Sequence, residues 1–238
     1  MQHQRFLPDL AAGATPVIWG DRVFVSSADP QSGKLWALCF DANSGKELWK
    51  QEKAGGGNAS PVPWEVDGKK IVVCNGRDLS AVDVKTGKEL WATPVGPILK
   101  NGWGDGPRST PTVSGDTVFA LSGQGVVVAA KVGDGKEIWK ANLRDFGGKT
   151  PGWGYTESVL VDDGKVICTP GGGQGTLLAL EARTGKLRWY RQLVPHDMHD
   201  WDVTVAGPIT VGLMATAPGM IAKSNRELPS AANTKGVG

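Results

Sequence analysis

The chain has 238 residues and no run of about 18 consecutive apolar ones, so no transmembrane helix is predicted. Charge of one sign is also missing: 26 Lys and Arg against 24 Asp and Glu leave +2. Nucleic-acid binding would call for a clustered basic face, and the sequence has none. Met1 to Leu10 shows no cationic stretch leading into an apolar one, so no secretory signal is visible. Cysteine is scarce. Cys39, Cys74 and Cys168 lie far apart, in apolar surroundings, without metal-ligand spacing. Neither a disulfide framework nor a zinc site follows; buried strand cysteines are expected. No segment carries a helical 3.6-residue period. With 40% hydrophobic and 21% charged residues, wholesale disorder is excluded.

Two residue types are abundant. The 34 glycines are about twice the usual share of roughly 7%. The 10 tryptophans stand against only 2 tyrosines. One phrase occurs four times and uses both. It reads Asp41-Ala-Asn-Ser-Gly45-Lys46-Glu-Leu-Trp49 and Asp83-Val-Lys-Thr-Gly87-Lys88-Glu-Leu-Trp91. It returns as Lys131-Val-Gly-Asp-Gly135-Lys136-Glu-Ile-Trp139 and Glu181-Ala-Arg-Thr-Gly185-Lys186-Leu-Arg-Trp189, with tryptophans 42, 48 and 50 residues apart. An apolar strand ends near the Asp position. The Gly supplies a left-handed turn residue, and Lys-x-x-Trp opens the next strand of a hairpin. The four tryptophans are expected in the core, each packed on a neighbouring unit.

A second phrase precedes each of these: Thr15-Pro16, Ser60-Pro61, Thr110-Pro111 and Glu157-Ser158. Each leads into β-rich sequence, as at Ile71-Val72-Val73 or Lys165-Val166-Ile167-Cys168. Four short strands in a period of 40–50 residues make a propeller blade. The expectation is an all-β fold: a β-propeller of four-stranded antiparallel blades with tryptophan-docking motifs. Residues 1–14 read as an N-terminal segment and 15–212 as blades. Residues 213–238, small, polar and aperiodic, read as a poorly ordered tail. Four blades are well marked, and a fifth is expected to begin at Asp202-Val-Thr-Val-Ala-Gly-Pro-Ile-Thr210.

The Asp-x-x-Thr-Gly-Lys-x-x-Trp phrase resembles the tryptophan-docking motif of the pyrroloquinoline quinone (PQQ) repeat. That repeat builds the eight-bladed quinoprotein alcohol dehydrogenases and non-enzymatic relatives, among them an outer-membrane assembly lipoprotein. The resemblance covers roughly residues 15–210 and implies a periplasmic or cell-surface setting. Asn101-Gly-Trp-Gly-Asp-Gly-Pro-Arg-Ser-Thr-Pro111 and Pro151-Gly-Trp-Gly-Tyr-Thr-Glu-Ser158 are similar to PQQ-like propellers with no established activity. Pro195-His196-Asp197-Met-His199-Asp200-Trp201-Asp202 is similar to a Pro-His-Asp-x-Trp-Asp segment of the dehydrogenases, with one residue more before the tryptophan. Other marks of those enzymes are missing: an adjacent Cys-Cys pair and a Cys-x-x-Cys-His heme site. Four to five blades are also an incomplete set against an eight-bladed ring. A partial ring cannot surround a central cofactor, and its exposed blade edges invite pairing with another copy.

Loops entering the innermost strands of a propeller point at its channel. The candidates there are Asn58, Asp105, Arg108, Tyr155 and Glu157, with Arg108 and Tyr155 counted as equivalent positions three residues before Pro111 and Ser158. Such groups could hold a small anionic or polyol ligand, or Ca2+ through oxygens. In the resembling enzymes they bind the quinone carboxylates and the metal. Trp153, in a Gly-Trp-Gly loop matched by Trp103, could be a stacking platform for PQQ or a loop plug. His196, Asp197, His199, Asp200 and Asp202 form the densest titratable run. His196 and His199, with Glu157, are candidate metal ligands. Asp197 or Asp200 could serve as general base for hydride transfer from an alcohol or sugar to a quinone. Asx turns in an ordinary loop would account for the same residues. Gly171-Gly-Gly-Gln-Gly175 is not a phosphate loop, because a strand follows it and no Lys-Ser/Thr does.

The favoured reading is a binding or interaction module without chemistry, taking a protein partner or a small polar ligand at the channel mouth. The alternative is a quinoprotein dehydrogenase, or a piece of one, dependent on PQQ and Ca2+.

Overall fold

The computed structural model describes residues 13–29, 32–52, 54–55, 57–101, 105–172 and 177–191. They form four antiparallel sheets of four strands, each in simple meander order. The first blade holds β1 (Val17–Trp19), β2 (Arg22–Ala28), β3 (Leu35–Asp41) and β4 (Glu47–Glu52). The second holds β5 (Val62–Val66), β6 (Lys69–Asn75), β7 (Leu79–Asp83) and β8 (Glu89–Thr93). The third holds β9 (Thr112–Ser114), β10 (Thr117–Leu121), β11 (Val126–Lys131) and β12 (Glu137–Asn142). A 3-10 helix at Leu143–Phe146 follows β12. The fourth blade holds β13 (Leu160–Asp162), β14 (Lys165–Cys168), β15 (Leu177–Glu181) and β16 (Leu187–Arg191). The expected fifth blade at Asp202–Thr210 and the tail 213–238 lie outside the described residues.

The middle strands of the second and third blades are apolar without alternation because those blades are covered on both faces. Val72 and Cys74 of β6 pack toward the first blade, in one cluster with Phe24, Cys39 and Trp49. Their neighbours Ile71 and Val73 pack toward the third, with Val118, Ala120, Val128 and Trp91. A third cluster joins the third and fourth blades, from Phe119, Val127 and Trp139 to Val166, Cys168, Leu178 and Leu180. The core is therefore three slabs, one at each joint between blades. All three cysteines are buried in these slabs as free thiols. Burial pushes the Cys74 thiol up to about 12, so it is inert at neutral pH.

The repeated phrase builds each joint. In the turn after β7, Gly87 donates to the Asp83 carbonyl at 2.8 Å, and Asp83 Oδ1 accepts from Thr86 N at 2.8 Å. Gly87 takes φ 70, which a glycine adopts without strain. A bulge follows in every blade one residue before the tryptophan. Ala81 pairs with Trp91 but Val82 pairs with Glu89, so Leu90 is extra. Leu48, Ile138 and Arg188 are the extra residues of the other blades. A bulge adds twist and re-aims the next side chain. Here it lays the indole over the turn of the following blade. Trp49 Nε1 donates to the Val84 carbonyl at 2.9 Å, Trp91 to Val132 at 3.0 Å and Trp139 to Ala182 at 2.8 Å.

Each ring rests on a glycine. A Cβ at Gly87 would stand 2.6 Å from the Trp49 ring, at Gly135 2.6 Å from Trp91 and at Gly185 2.7 Å from Trp139. No larger residue fits under the indole. Trp49, Trp91 and Trp139 are accordingly buried. Trp189 departs from the expectation that all four tryptophans are core: it is only half-buried.

Candidate functional site

The loops that enter the inner strands lie on one face of the blades with the loops between the second and third strands. Among the described residues, a ladder of hydroxyl groups fixes their register. Thr15 N donates to Ser60 Oγ at 3.0 Å, Ser60 N to Thr110 Oγ1 at 3.1 Å, and Thr110 N to Ser158 Oγ at 3.0 Å. Each blade is thus tied to the next at the inner strand by a hydroxyl and farther out by a tryptophan. The Ser/Thr phrase was visible in the sequence; its role as an acceptor on the neighbouring blade was not.

This ladder corrects one expectation. It aligns Ser158 with Thr110, not with Pro111. Arg108 therefore matches Asn58 and Thr156, and Tyr155 does not share its position. The residue just before each rung is Ala14, Ala59, Ser109 or Glu157, all buried. Three blades place a small side chain there, and the fourth places a carboxyl.

Glu157 accepts from Thr169 N at 2.6 Å. Burial raises its carboxyl to about 7, although the bonds from Thr169 hold it down in part. Tyr155, buried beside it, donates to the Pro170 carbonyl at 2.6 Å. Burial, then the Glu157 charge, pushes its phenol well above the ordinary range. The hydroxyl is thus a fixed donor to the Gly-rich loop, not a base.

Asn58 and Arg108 tie adjacent loops together, and Asp105 braces its own. Asn58 sits against Gly13, where any Cβ would collide with its amide. Asp105 pairs with Lys100 and accepts from Asn101 N at 3.1 Å. Partial burial opposes its ionisation. The bonds from Lys100 and Asn101 and the charges of Lys100 and Arg108 outweigh that and hold its carboxyl below the usual range. Arg108 Nε donates to the Trp153 carbonyl at 2.9 Å, and Asn101 Nδ2 donates to the Gly152 carbonyl at 2.9 Å. Trp153 itself is 53% exposed. Asn75 escaped the sequence reading. Its buried amide donates to the Ser109 and Leu121 carbonyls at 2.9 and 3.1 Å, joining the second blade to the third.

Asp105 also lines a half-open cleft of about 580 Å3 between the first two blades. Lys34, Arg77 and Lys100 face Glu52, Asp78 and Asp105 around it, and Lys34 bonds Glu52 at 3.3 Å. Charges of both signs suit a polar partner better than a single small anion.

A quinone held with calcium needs polar side chains that converge on one open position. Asn58, Arg108 and Tyr155 are each engaged with a neighbouring loop, and Asp105 with Lys100 and Asn101 of its own. Glu157 is buried and holds a proton for part of the time at neutral pH. Among the described residues, no three His, Cys, Asp or Glu side chains come together as metal ligands would. These residues do not fit the group. His196, Asp197, His199 and Asp200 lie outside the described residues.

Blades joined by an indole on a glycine turn, with a loop face above them, define a β-propeller of the tryptophan-docked kind. The chain belongs to the PQQ-repeat family described as outer membrane protein assembly factor BamB, which it matches over residues 3–97 and 75–213. It is 30% identical over 211 residues to the quinohemoprotein alcohol dehydrogenase ADH IIB of Pseudomonas putida, covering 82% of this chain and 28% of that protein. It is 31% identical over 177 residues to the outer membrane protein assembly factor BamB of Burkholderia pseudomallei, covering 73% and 41%. In structure it resembles BamB from Moraxella catarrhalis, with TM-score 0.55, 25% identity, and 74% and 47% of the two chains covered. The chain thus spans between a quarter and a half of the length of these relatives. The family holds both dehydrogenases and assembly factors. No described helix is long and apolar enough to cross a membrane.

Proposed function

We propose that the chain is a binding or interaction module of the PQQ-like propeller kind, without catalytic activity of its own. The observation that carries this reading is how the loop-face side chains are used. Asn58, Arg108 and Tyr155 each reach a different neighbouring loop, Asp105 is held by Lys100 and Asn101 of its own loop, and Glu157 turns inward to Thr169. A catalytic site needs such groups to converge on one reacting position. Here they brace the face that a partner meets, and the cleft beside Asp105 offers alternating charges to a polar protein segment. The proposed setting is the periplasm or the cell surface, as the name of the assembly-factor relatives suggests.

The test is a titration of the folded chain with PQQ, with and without Ca2+, followed by tryptophan quenching. Alcohol-dependent dye reduction is measured alongside. Neither saturable quenching nor turnover is expected. Saturable, Ca2+-requiring binding with dye reduction, lost in Asp197→Ala or Glu157→Ala, would make the chain a quinoprotein dehydrogenase instead.

A further inference from the structure

The three joints between described blades differ at one place on the turn side, opposite the loop face. Strand register makes Trp19, Trp64 and Ser114 equivalent. They pair with Arg22, Ile71 and Thr117, and those three pair in turn with Asp41, Asp83 and Lys131, the first residues of the repeated phrase. Trp19 packs on the cluster of the first joint and Trp64 on that of the second. The third joint has the same surroundings: Phe119 meets Trp139 with ring centroids 6.1 Å apart, as Phe24 meets Trp49 at 6.0 Å. Ser114 brings no ring to it. At the first joint, Lys70 also stands over Trp19, with Nζ 5.4 Å from the ring centroid. The Lys70 carbonyl accepts from Val84 N, and the residue with the same bond in the fourth blade is Gly164, which accepts from Ala182 N at 2.8 Å. A Cβ at Gly164 would meet nothing within 4 Å. Ring and covering cation are both missing from the third joint.

A half-open cleft of about 480 Å3 lies at that place, lined by Ser114 and Gly164. Phe119, Ile138 and Val161 give it an apolar floor, with Ile138 41% exposed. Asp116, Asp162 and Asp163 stand at its rim with Arg183. Lys165 takes up Asp163 at 2.8 Å, which leaves the charges of Asp116 and Asp162 against that of Arg183. We propose that this cleft receives a tryptophan of a partner protein, carried beside a lysine or arginine, in the place that Trp19 and Trp64 fill from within the chain. The ring covers the apolar floor and keeps its N–H edge toward water. The neighbouring cation meets Asp116 and Asp162, so the rim selects a basic segment over an acidic one. A blade placed after the fourth would pack on that blade's other face and does not compete for the cleft. The contact is separate from the loop face and does not depend on what that face binds.

The experiment is an amide NMR titration of the full chain with the capped peptide acetyl-Gly-Lys-Trp-Lys-Gly-amide. Saturable shifts centred on Thr117, Ile138 and Ala182 are expected, with a Kd on the order of 0.1–1 mM for a single docked ring. The same peptide with alanine for tryptophan is expected not to bind, and one with glutamate for both lysines to bind several-fold more weakly. Ser114→Trp fills the cleft from within; it is expected to abolish the shifts and to raise the melting temperature by a few degrees. Asp116→Asn combined with Asp162→Asn is expected to weaken binding about fivefold. Both aspartates are exposed, so this second variant tests the site even where Ser114→Trp does not fold. No saturation at high millimolar peptide would overturn the proposal. So would shifts that persist in folded Ser114→Trp, or equal affinity for the alanine or glutamate peptide.

Discussion

Gly87 and Gly45 occupy the same place in the same turn, with φ 70 and 67, yet one lies under an indole and the other under none of the described residues. The turns are alike in their bonds. Gly87 donates to Asp83 at 2.8 Å and Gly45 to Asp41 at 2.9 Å. Asp83 and Asp41 both accept from the Thr or Ser three residues on. The turn therefore forms without its tryptophan. What the tryptophan adds is the next blade: Val84 is buried and joins the Trp49 cluster, whereas Ala42 stays exposed. Local hydrogen bonding makes the seat, and packing between blades gives it a use.

Tryptophan truncation separates the two roles most widely. Trp91→Ala opens a hole in the slab between the second and third blades and is expected to cost about 3–5 kcal/mol by urea denaturation. Trp189→Ala, measured in dilute solution, is expected to cost under about 1 kcal/mol, the scale of a residue that holds no interior site. Equal losses would mean that Trp189 is already seated.

The fourth blade differs from the others in a second way, through Glu157. In the folded chain this carboxyl ionises at about 7, against 4.5 for a free one, so the fold retains a proton that the unfolded chain has released. Stability is then fullest below 4.5, falls as pH rises toward 7 and levels off above it. The fall is about 3 kcal/mol. Glu157→Gln is expected to flatten that part of the pH–stability curve. An unchanged slope in the variant would assign the dependence to other groups.

The glycines come next. Gly87→Ala meets both a left-handed φ and the Trp49 ring, and is expected to lose about 3 kcal/mol. Gly45→Ala meets only the φ, and is expected to lose about 1 kcal/mol. The hydroxyl ladder gives the mildest contrast. Thr110→Val deprives Ser60 N of its acceptor and is expected to cost about 1 kcal/mol, while Thr15→Val removes no described bond and is expected to be near neutral. Thermal melts of the four variants under one condition check both pairs.

The blades were legible because their chemistry repeats. Four spaced copies of the Gly-Lys-x-x-Trp phrase mark where a hairpin turns and where an indole is laid, and those positions match β3–β4, β7–β8, β11–β12 and β15–β16. The bulge before each tryptophan was not legible, since Leu90 reads as one more strand residue and only pairing reveals it as extra. The loop residues were legible as a set and not in their uses. Arg108 and Tyr155 both read as channel groups, but one reaches the Trp153 carbonyl and the other the Pro170 carbonyl. Which loop lies beside which depends on how the blades stack. Glu157 stood out as an acidic residue, while its burial follows from a position that other blades fill with alanine or serine.

The most direct measurement is indole oxidation by N-bromosuccinimide in dilute solution, read residue by residue through mass spectrometry. Among the described residues three tryptophans are seated on glycine turns and Trp189 is only half-buried, so Trp189 is predicted to react well before Trp49, Trp91 and Trp139. Protection of Trp189 to the same degree as those three, at a concentration where the chain is monomeric, would contradict the account.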